Sequence, residues 1–336
     1  MLSSVPLARL IEATPANKAL CGAFLPTNNN PSFSSFQDVY TVSIVDTDGT
    51  SPIAFGAINM YSQKQAYCMV GEVSDKYHNS TIWLEDKTVE KSHVVLKISK
   101  SETGKPDHSG LGMFRAVFGD HEERPIEEYL MQWMVNKTVG NDCLDLNKNV
   151  TLDVVGKRNL NGWRDNAGFV VTDNQHFVEM TCKKSDLVSL DTTSFAKIVP
   201  LTAENKEILI EYDATCTMLD RSDYIDALLK TSDIRGALAI DEHNTPYGYV
   251  LTLGSRILSC YAEKEEISRQ LLSFAASQIT APEVSLYTCE EAFGFMDELV
   301  KNALKVTPVT RLHTRTLIKQ VKWNKVFCHN IGLHLF

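Results

Sequence analysis

Two hydrophobic periods take turns along the chain, and the changes from one to the other mark out its elements. Alternation of apolar and polar positions, the sign of a half-buried strand, runs through VYTVSIVD (39–46), PIAFGAINMY (52–61), AYCMVGEV (66–73) and HVVLKIS (93–99). With the turn DTDG at 46–49, these runs predict an antiparallel meander. A further strand is predicted at LGMFRAVF (111–118), and there the period changes from two to 3.6, with Ile126, Leu130, Trp133 and Met134 on one helical face. Pro125 suits the first helical position, where a missing NH costs the helix nothing. Beyond it, VTLDVV (150–155) predicts a buried strand, NLNGWRDNAGF (159–169) a short helix ending at Gly168, and HFVEMTCK (176–183) a closing strand. Upstream, Val5 to Glu12 predicts a short helix, and the Asn-, Ser-, Pro- and Phe-rich stretch 21–37 an ordered loop.

The second half repeats this order. After the polar stretch KKSDLVSLDTTS (183–194), which has no sustained period and is the natural linker, come KIVPL (197–201), a helix from about Ala203 to Ile210, and a helix around SDYIDALLKT (222–231) capped by Ser222. Strands GALAID (236–241), YGYVLTLG (247–254) and RILSCYA (256–262) form a second meander. A helix over 263–279 follows, with Ile267, Leu271, Phe274, Ala275 and Gln278 on one stripe. EVSLY (283–287), a helix over 289–304, a strand over 310–317 and an aromatic tail complete the pattern. Length agrees: 336 residues suit two cores better than one. The expected fold class is therefore α/β (α+β), two domains at 1–188 and 195–336, each a mixed, mostly antiparallel sheet flanked by helices.

Composition narrows the function. Hydrophobic residues at 43% and charged residues at 22% describe a folded globular chain. A net charge of −9 and the lack of a Lys/Arg cluster argue against nucleic acid as partner. The eight cysteines are spread evenly, with no CxxC pair and no His at ligand spacing, so they read as reduced, mostly buried thiols and no metal is expected. Neither a signal-peptide pattern nor a run of about 18 apolar residues is present, which predicts a cytoplasmic protein with no membrane partner. On that reading the Asn-x-Thr triplets at Asn79, Asn136 and Asn149 are chance matches.

Particular segments carry a family likeness. LGMFRAVF, RPIEEYLMQWM and VTLDVVGKRNLNGWRDNAGF, with its closing Gly168-Phe169, follow one another as they do in acyl-CoA-dependent N-acetyltransferases of the GNAT superfamily. EYDATCTMLDRSDYIDALL (211–229), with Tyr212-Asp213 and Asp220-Arg221, then GYVLTLG and RILSCYAEKEEISRQLL, are similar to the second domain of tandem members. The chain thus resembles a tandem GNAT protein over about residues 38–336. That resemblance implies transfer of an acyl group from acetyl-CoA or another acyl-CoA to a small-molecule or peptide amine, with the first domain holding the cofactor. It sets the cofactor contacts at Ala116 and Val117, whose strand backbone would meet the thioester, and at Arg124 and Ile126.

The family's diphosphate cradle, Arg/Gln-x-x-Gly-x-Gly/Ala, departs from its pattern here. Aligned on Leu130-Met131, it places Glu122 at the basic position, Pro125 at the first Gly and Glu127 at the second. Unpaired amides and the dipole of a helix N-terminus favour an anion, whereas Glu122, Glu123, Glu127 and Glu128 oppose one. Each carboxylate about 4 Å from a phosphate costs roughly 1 kcal/mol in water and about 4 at an effective dielectric of 20. Arg124 is the one cation left nearby. Where the family often carries a proton-donating Tyr, this chain has Trp163 or Arg164, neither of which serves at pH 7. Glu72, Glu85, His108 and His121 are candidate bases, with an ordinary surface role as the default reading of each; Tyr212, Tyr224, Tyr261 and Trp323 could line an acceptor pocket, with core packing as the default. The catalytic residues stay unassigned. Two classes of function remain open: a divergent acyltransferase, and a catalytically inactive module of the same fold that binds a metabolite or protein.

Overall fold

A computed structural model describes residues 7–12, 39–46, 52–62, 65–74, 77, 80–84, 93–100, 124–126, 129–130, 133–134, 148–155, 160–165, 168–190, 196–217, 220–230, 234–289, 296–315 and 321–329. In chain order its strands are β1 (Leu7–Glu12), β2 (Val39–Asp46), β3 (Pro52–Ser62), β4 (Gln65–Val73), β5 (Ser80–Leu84), β6 (His93–Lys100), β7 (Arg124–Pro125), β8 (Asn149–Val155), β9 (Val171–Thr172) and β10 (Phe177–Lys183). They continue with β11 (Lys197–Pro200), β12 (Ile234–Ile240), β13 (Pro246–Leu253), β14 (Arg256–Ala262), β15 (Glu283–Cys289), β16 (Lys305–His313) and β17 (Val326–Cys328). The helices are α1 (Leu160–Asp165), α2 (Lys184–Val188), α3 (Lys206–Thr217), α4 (Ser222–Leu229), α5 (Glu265–Gln278) and α6 (Met296–Asn302).

All these strands belong to one mixed sheet. Its pairings run β7-β5-β6-β1-β2-β3-β4-β8-β16-β10-β15-β14-β13-β12-β11, with β9 added to β16 and β17 to β14. Among the described residues only β4/β8 and β14/β15 pair in parallel. The sequence reading treats Phe177–Lys183 as the closing strand of the first half, yet both its edges bond to strands of the second, β15 and β16. Likewise β16 bonds to β8. The two halves are interleaved along this seam.

Alternation explains why helices settle on these faces. Val150, Leu152 and Val154 point into a core with Ile126, Leu130, Met134, Trp163 and Phe169, all buried. Ile126, Leu130 and Met134 thus bear out the predicted helical face, and Trp133 packs against it half-buried. In the second half Ala237, Ala239, Val250 and Cys260 face α5, while Leu238, Tyr249, Leu251 and Tyr261 face α3 and α4. Ile267, Leu271 and Ala275 are buried as predicted, whereas Gln278 is exposed and Leu272 and Ala276 widen the stripe.

Several predicted elements differ. Leu7–Glu12 is a strand, because two partners claim it: it pairs antiparallel with β2 on one side and β6 on the other. The stretch read as linker begins with α2, whose Leu187 is fully buried in the core that α5 forms. Pro125 precedes the helix and belongs to β7, opposite Thr81 of β5. Helix α3 starts later and runs on to Thr217. Ser222 does not cap α4; the Asp220 carboxylate accepts both the Ser222 amide at 3.1 Å and its hydroxyl at 2.7 Å. Gly168 does end the helical segment, at φ 80°. Segments 21–37, 101–123 and 289–295, apart from Cys289, lie outside the described residues. No described helix is long and apolar enough to cross a membrane.

Candidate functional site

The parallel pairs open two wedges. Strands β4 and β8 bond from Gln65/Asn149 to Cys68/Leu152 and no further, although β4 runs on to Val73 and β8 to Val155. Beyond that register the facing backbone groups are not bonded to each other. A wedge of this kind presents strand donors and acceptors to an extended ligand, as a sheet edge does. The 111–118 segment that the sequence reading made the cofactor strand lies outside the described residues; the strand set parallel to β8 is β4.

The second wedge is filled from within. Strands β14 and β15 share a single parallel pair, Arg256/Ser285. Into the gap beyond it runs β17, with Cys260 opposite Cys328 and Tyr261 opposite Val326. On its other side the His329 amide donates to the Tyr287 carbonyl at 3.0 Å, and the Thr288 hydroxyl donates to the Phe327 carbonyl at 2.9 Å. Val326, Phe327 and Cys328 are all buried. Lys325 ties the inserted segment to Glu263 at the end of β14, with Nζ 2.6 Å from Oε1.

Between the wedges, one face of the seam is polar and aromatic. Alternation along β8 turns Asn149, Thr151 and Asp153 away from the apolar core. Asp153 takes both arms of Arg311 on β16, Nε at 2.8 Å and Nη2 at 2.9 Å, with both side chains almost wholly buried. The Arg311 guanidinium lies 4.3 Å from the Phe177 ring centre and 5.8 Å from that of Trp323. Tyr67, Phe177, Tyr287, Cys289 and Val309 pack beside it. Arg256 covers Tyr287 at 4.5 Å. Burial, together with the charges of Arg311 and Arg256, pushes His329 well below the ordinary histidine value, so its ring stays neutral.

A second polar chain crosses the same face. His313 stands with Nδ1 2.8 Å from the Thr151 hydroxyl and Nε2 3.2 Å from Asp173 Oδ2. Gln65 Nε2 donates to Thr151 Oγ1 at 2.9 Å, and Asn149 Nδ2 donates to Gln65 Oε1 at 3.0 Å. One consistent set of directions is Nε2–H to Asp173, then the Thr151 hydroxyl to Nδ1. Burial alone would raise the Asp173 carboxyl, but bonds from His313 and from the Gln175 amide, with the charge of Arg311, outweigh it and hold the group below the usual range. Carboxylate, imidazole and hydroxyl are thus aligned, yet Thr151 is wholly enclosed. The alignment orients groups and fixes strand register; nothing in solvent reaches the hydroxyl.

The sequence-predicted residues fall in separate places. Ala116, Val117, Glu85, His108 and His121 lie outside the described residues. Arg124 is in β7, paired with Ile82, and Ile126 is a buried core side chain. Glu72 is on β4. Trp163 is core and Arg164 is exposed. Tyr212 lies on α3 and packs in one core with Tyr261 of β14, and Tyr224 lies on α4. Trp323 joins the seam, with its ring 5.4 Å from Phe177. Of Tyr212-Asp213 and Asp220-Arg221, Asp213 and Arg221 form a buried network with Tyr249: Arg221 Nε donates to Asp213 Oδ2 at 2.9 Å, its Nη2 to Oδ1, and the Tyr249 hydroxyl to Oδ1 at 2.6 Å. Asp153, Arg311 and His313 went unremarked in the sequence. An Asp in the apolar run VTLDVV was the one available signal.

Residues 24–171 match the model of a domain of unknown function, DUF7596. No curated protein matches the chain in sequence. A proposed acetyltransferase from Pyrococcus horikoshii has the same fold with a TM-score of 0.56 at 14% identity, over 97% of this chain and 95% of that one. A tandem GNAT protein from the clavulanic acid biosynthesis pathway reaches 0.50 at 7% identity, over 92% of this chain and 99% of that one. A GCN5-related glucosamine N-acetyltransferase region of a fungal multi-domain GH3 β-N-acetylglucosaminidase also reaches 0.50, at 10% identity, over 93% of this chain and 38% of that one. At these identities the likeness concerns the fold, which is GNAT-like, and leaves activity to be argued from the site.

Proposed function

We propose that the chain is a divergent acyl-CoA-dependent acyltransferase built from two interleaved GNAT-like domains, 1–188 and 195–336, with the acyl thioester in the wedge between β4 and β8. The observation that carries this reading is the register of that parallel pair, which ends at Cys68/Leu152 while both strands continue. Strand amides that no β4–β8 pair takes up beyond that point would suit an extended acyl-pantetheine arm, and one of them would polarise the thioester carbonyl. The acceptor would be a small-molecule or peptide amine; Tyr67, Asp153 and Arg311 on the polar face of the seam are enclosed and serve to hold the strands together. In this arrangement Asp153 is committed to Arg311 and both nitrogens of His313 are engaged, so neither is a free proton acceptor.

The diphosphate end fits less well. Pro125 has no amide to give, Arg124 and Pro125 pair with β5, and the flanking glutamates repel phosphate. That observation favours the second reading, a catalytically inactive domain of the same fold that binds a metabolite or protein. Calorimetric titration with acetyl-CoA separates the two. Binding at micromolar to submillimolar ligand supports the acyltransferase, and Glu122→Arg with Pro125→Gly and Glu127→Gly is then expected to tighten it at least tenfold. No heat and no thermal shift at millimolar acetyl-CoA, for wild type and triple variant alike, refutes it.

A further inference from the structure

The strand that fills the second wedge carries a thiol directly opposite another. Cys260 and Cys328 are Cα partners across the antiparallel β14/β17 pair, both fully buried in one core and both reduced. The register shifts just past this pair, between Cys260 and Tyr261; partners in a regular antiparallel ladder have Cα atoms about 4.5–5.5 Å apart, inside the roughly 4.4–6.8 Å span that a disulfide bridges, and Cys328 lies close enough to Cys260 to act on it electrostatically. A third buried thiol, Cys182 on β10, shares the core and lies near enough to Cys328 to act on it electrostatically, so it is the competing partner for Cys328, although β15 separates its strand from β14. β17 is only three residues long. Ladder bonds on both edges, the Lys325–Glu263 pair and three fully buried side chains hold it in place, so lifting it is an infrequent event that mild denaturant promotes.

We infer that Cys260 and Cys328 are an oxidation site, at which a small-molecule disulfide such as glutathione disulfide joins them and staples β17 into the wedge between β14 and β15. Burial raises both thiols, so little thiolate exists while β17 is seated, and the reaction follows lifting of the strand. The exposed Cys328 thiolate then attacks one sulfur of glutathione disulfide, forming a mixed disulfide and releasing one glutathione thiolate, which takes up the proton that Cys328 lost. As the strand reseats, Cys260 gives up its proton and attacks the Cys328 sulfur, expelling the second glutathione, which accepts that proton. Two protein thiols are oxidised and one glutathione disulfide is reduced to two thiols. Reduced protein can open the second wedge; oxidised protein cannot. The latch is independent of whether acyl-CoA binds the first wedge.

The test uses the full chain, incubated with glutathione disulfide in buffer and in mild urea, then alkylated, digested and mapped, with amide exchange followed in parallel. Expected are a mass lower by two hydrogens, a Cys260–Cys328 cross-linked peptide, faster linkage in urea, and amide exchange at Val326–Cys328 slowed at least tenfold until dithiothreitol restores it. Cys260→Ser is expected to stop at the glutathione adduct of Cys328. A Cys182–Cys328 link, a persistent adduct on wild type, no reaction in either condition, or a link that leaves exchange unchanged each overturns the inference.

Discussion

Arg311→Leu tests whether the seam depends on its buried ion pair. The substitution leaves the Asp153 carboxylate enclosed, its side chain 1% exposed, with both guanidinium bonds gone. Removing one partner of a buried pair costs about 3–5 kcal/mol, because the desolvated charge that remains has no compensation. Unfolding entropy of about 2.1 cal/mol/K per residue over 336 residues comes to about 0.7 kcal/mol/K. The midpoint should therefore fall by about 4–7 °C if the sheet unfolds as one unit. Asp153→Leu with Arg311→Leu should recover most of that loss, since a well-packed apolar pair often replaces a buried ion pair at little cost. Urea and thermal unfolding of wild type, both single variants and the double variant close the cycle. A single-variant cost below about 1 kcal/mol, or a double variant as weak as the sum of the singles, would refute the argument that these groups act as a desolvated pair.

Backbone contact and protonation give further checks. A Cβ at Gly248 would stand 2.6 Å from the Tyr261 carbonyl oxygen and 3.0 Å from Ala262 Cα, whereas one at Gly56 would meet only the movable end of Met134 and, at 3.7 Å, Val42. Gly248→Ala should thus cost about 1–3 kcal/mol in urea unfolding and Gly56→Ala less; the reverse order would mean that β13 and β14 yield where they are expected to hold. For His329, the folded value is depressed, so the unfolded chain takes up the extra proton as pH falls below about 6.5. Its contribution to stability is therefore present above that pH and is lost as pH falls below it. His329→Gln should flatten the fall in stability between pH 7 and 5.5, and an unchanged slope would show that the ring takes up its proton as readily in the folded chain as in the unfolded one.

Local geometry was legible and pairing partners were not. The runs at 39–46 and 52–61 showed their strands because alternation is a property of the segment itself. Ile126, Leu130 and Met134 showed a helical face, and Gly168 a positive φ, for the same reason. LARLIE at 7–12 misled, since leucine, alanine and arginine favour a helix in isolation; strands β2 and β6 on either side override that preference. Lys184–Val188 misled in the opposite sense, its helix being anchored by one buried leucine too isolated to show a period. The buried site fared worse. Asp153, Arg311, His313 and Thr151 come from β8 and β16, about 160 positions apart in the chain, and no local pattern links them.

By itself, then, the sequence determined the types and order of most of the described elements. Tertiary structure alone decided that β10 lies between β15 and β16, that β17 fills one wedge, and that β4 and β8 part after Cys68 and Leu152. The reason is physical. Side-chain period and turn chemistry act between neighbouring residues, whereas the choice of which strand edge to bond is made among distant segments, by whichever pairing buries the most apolar surface and leaves the fewest polar groups unbonded.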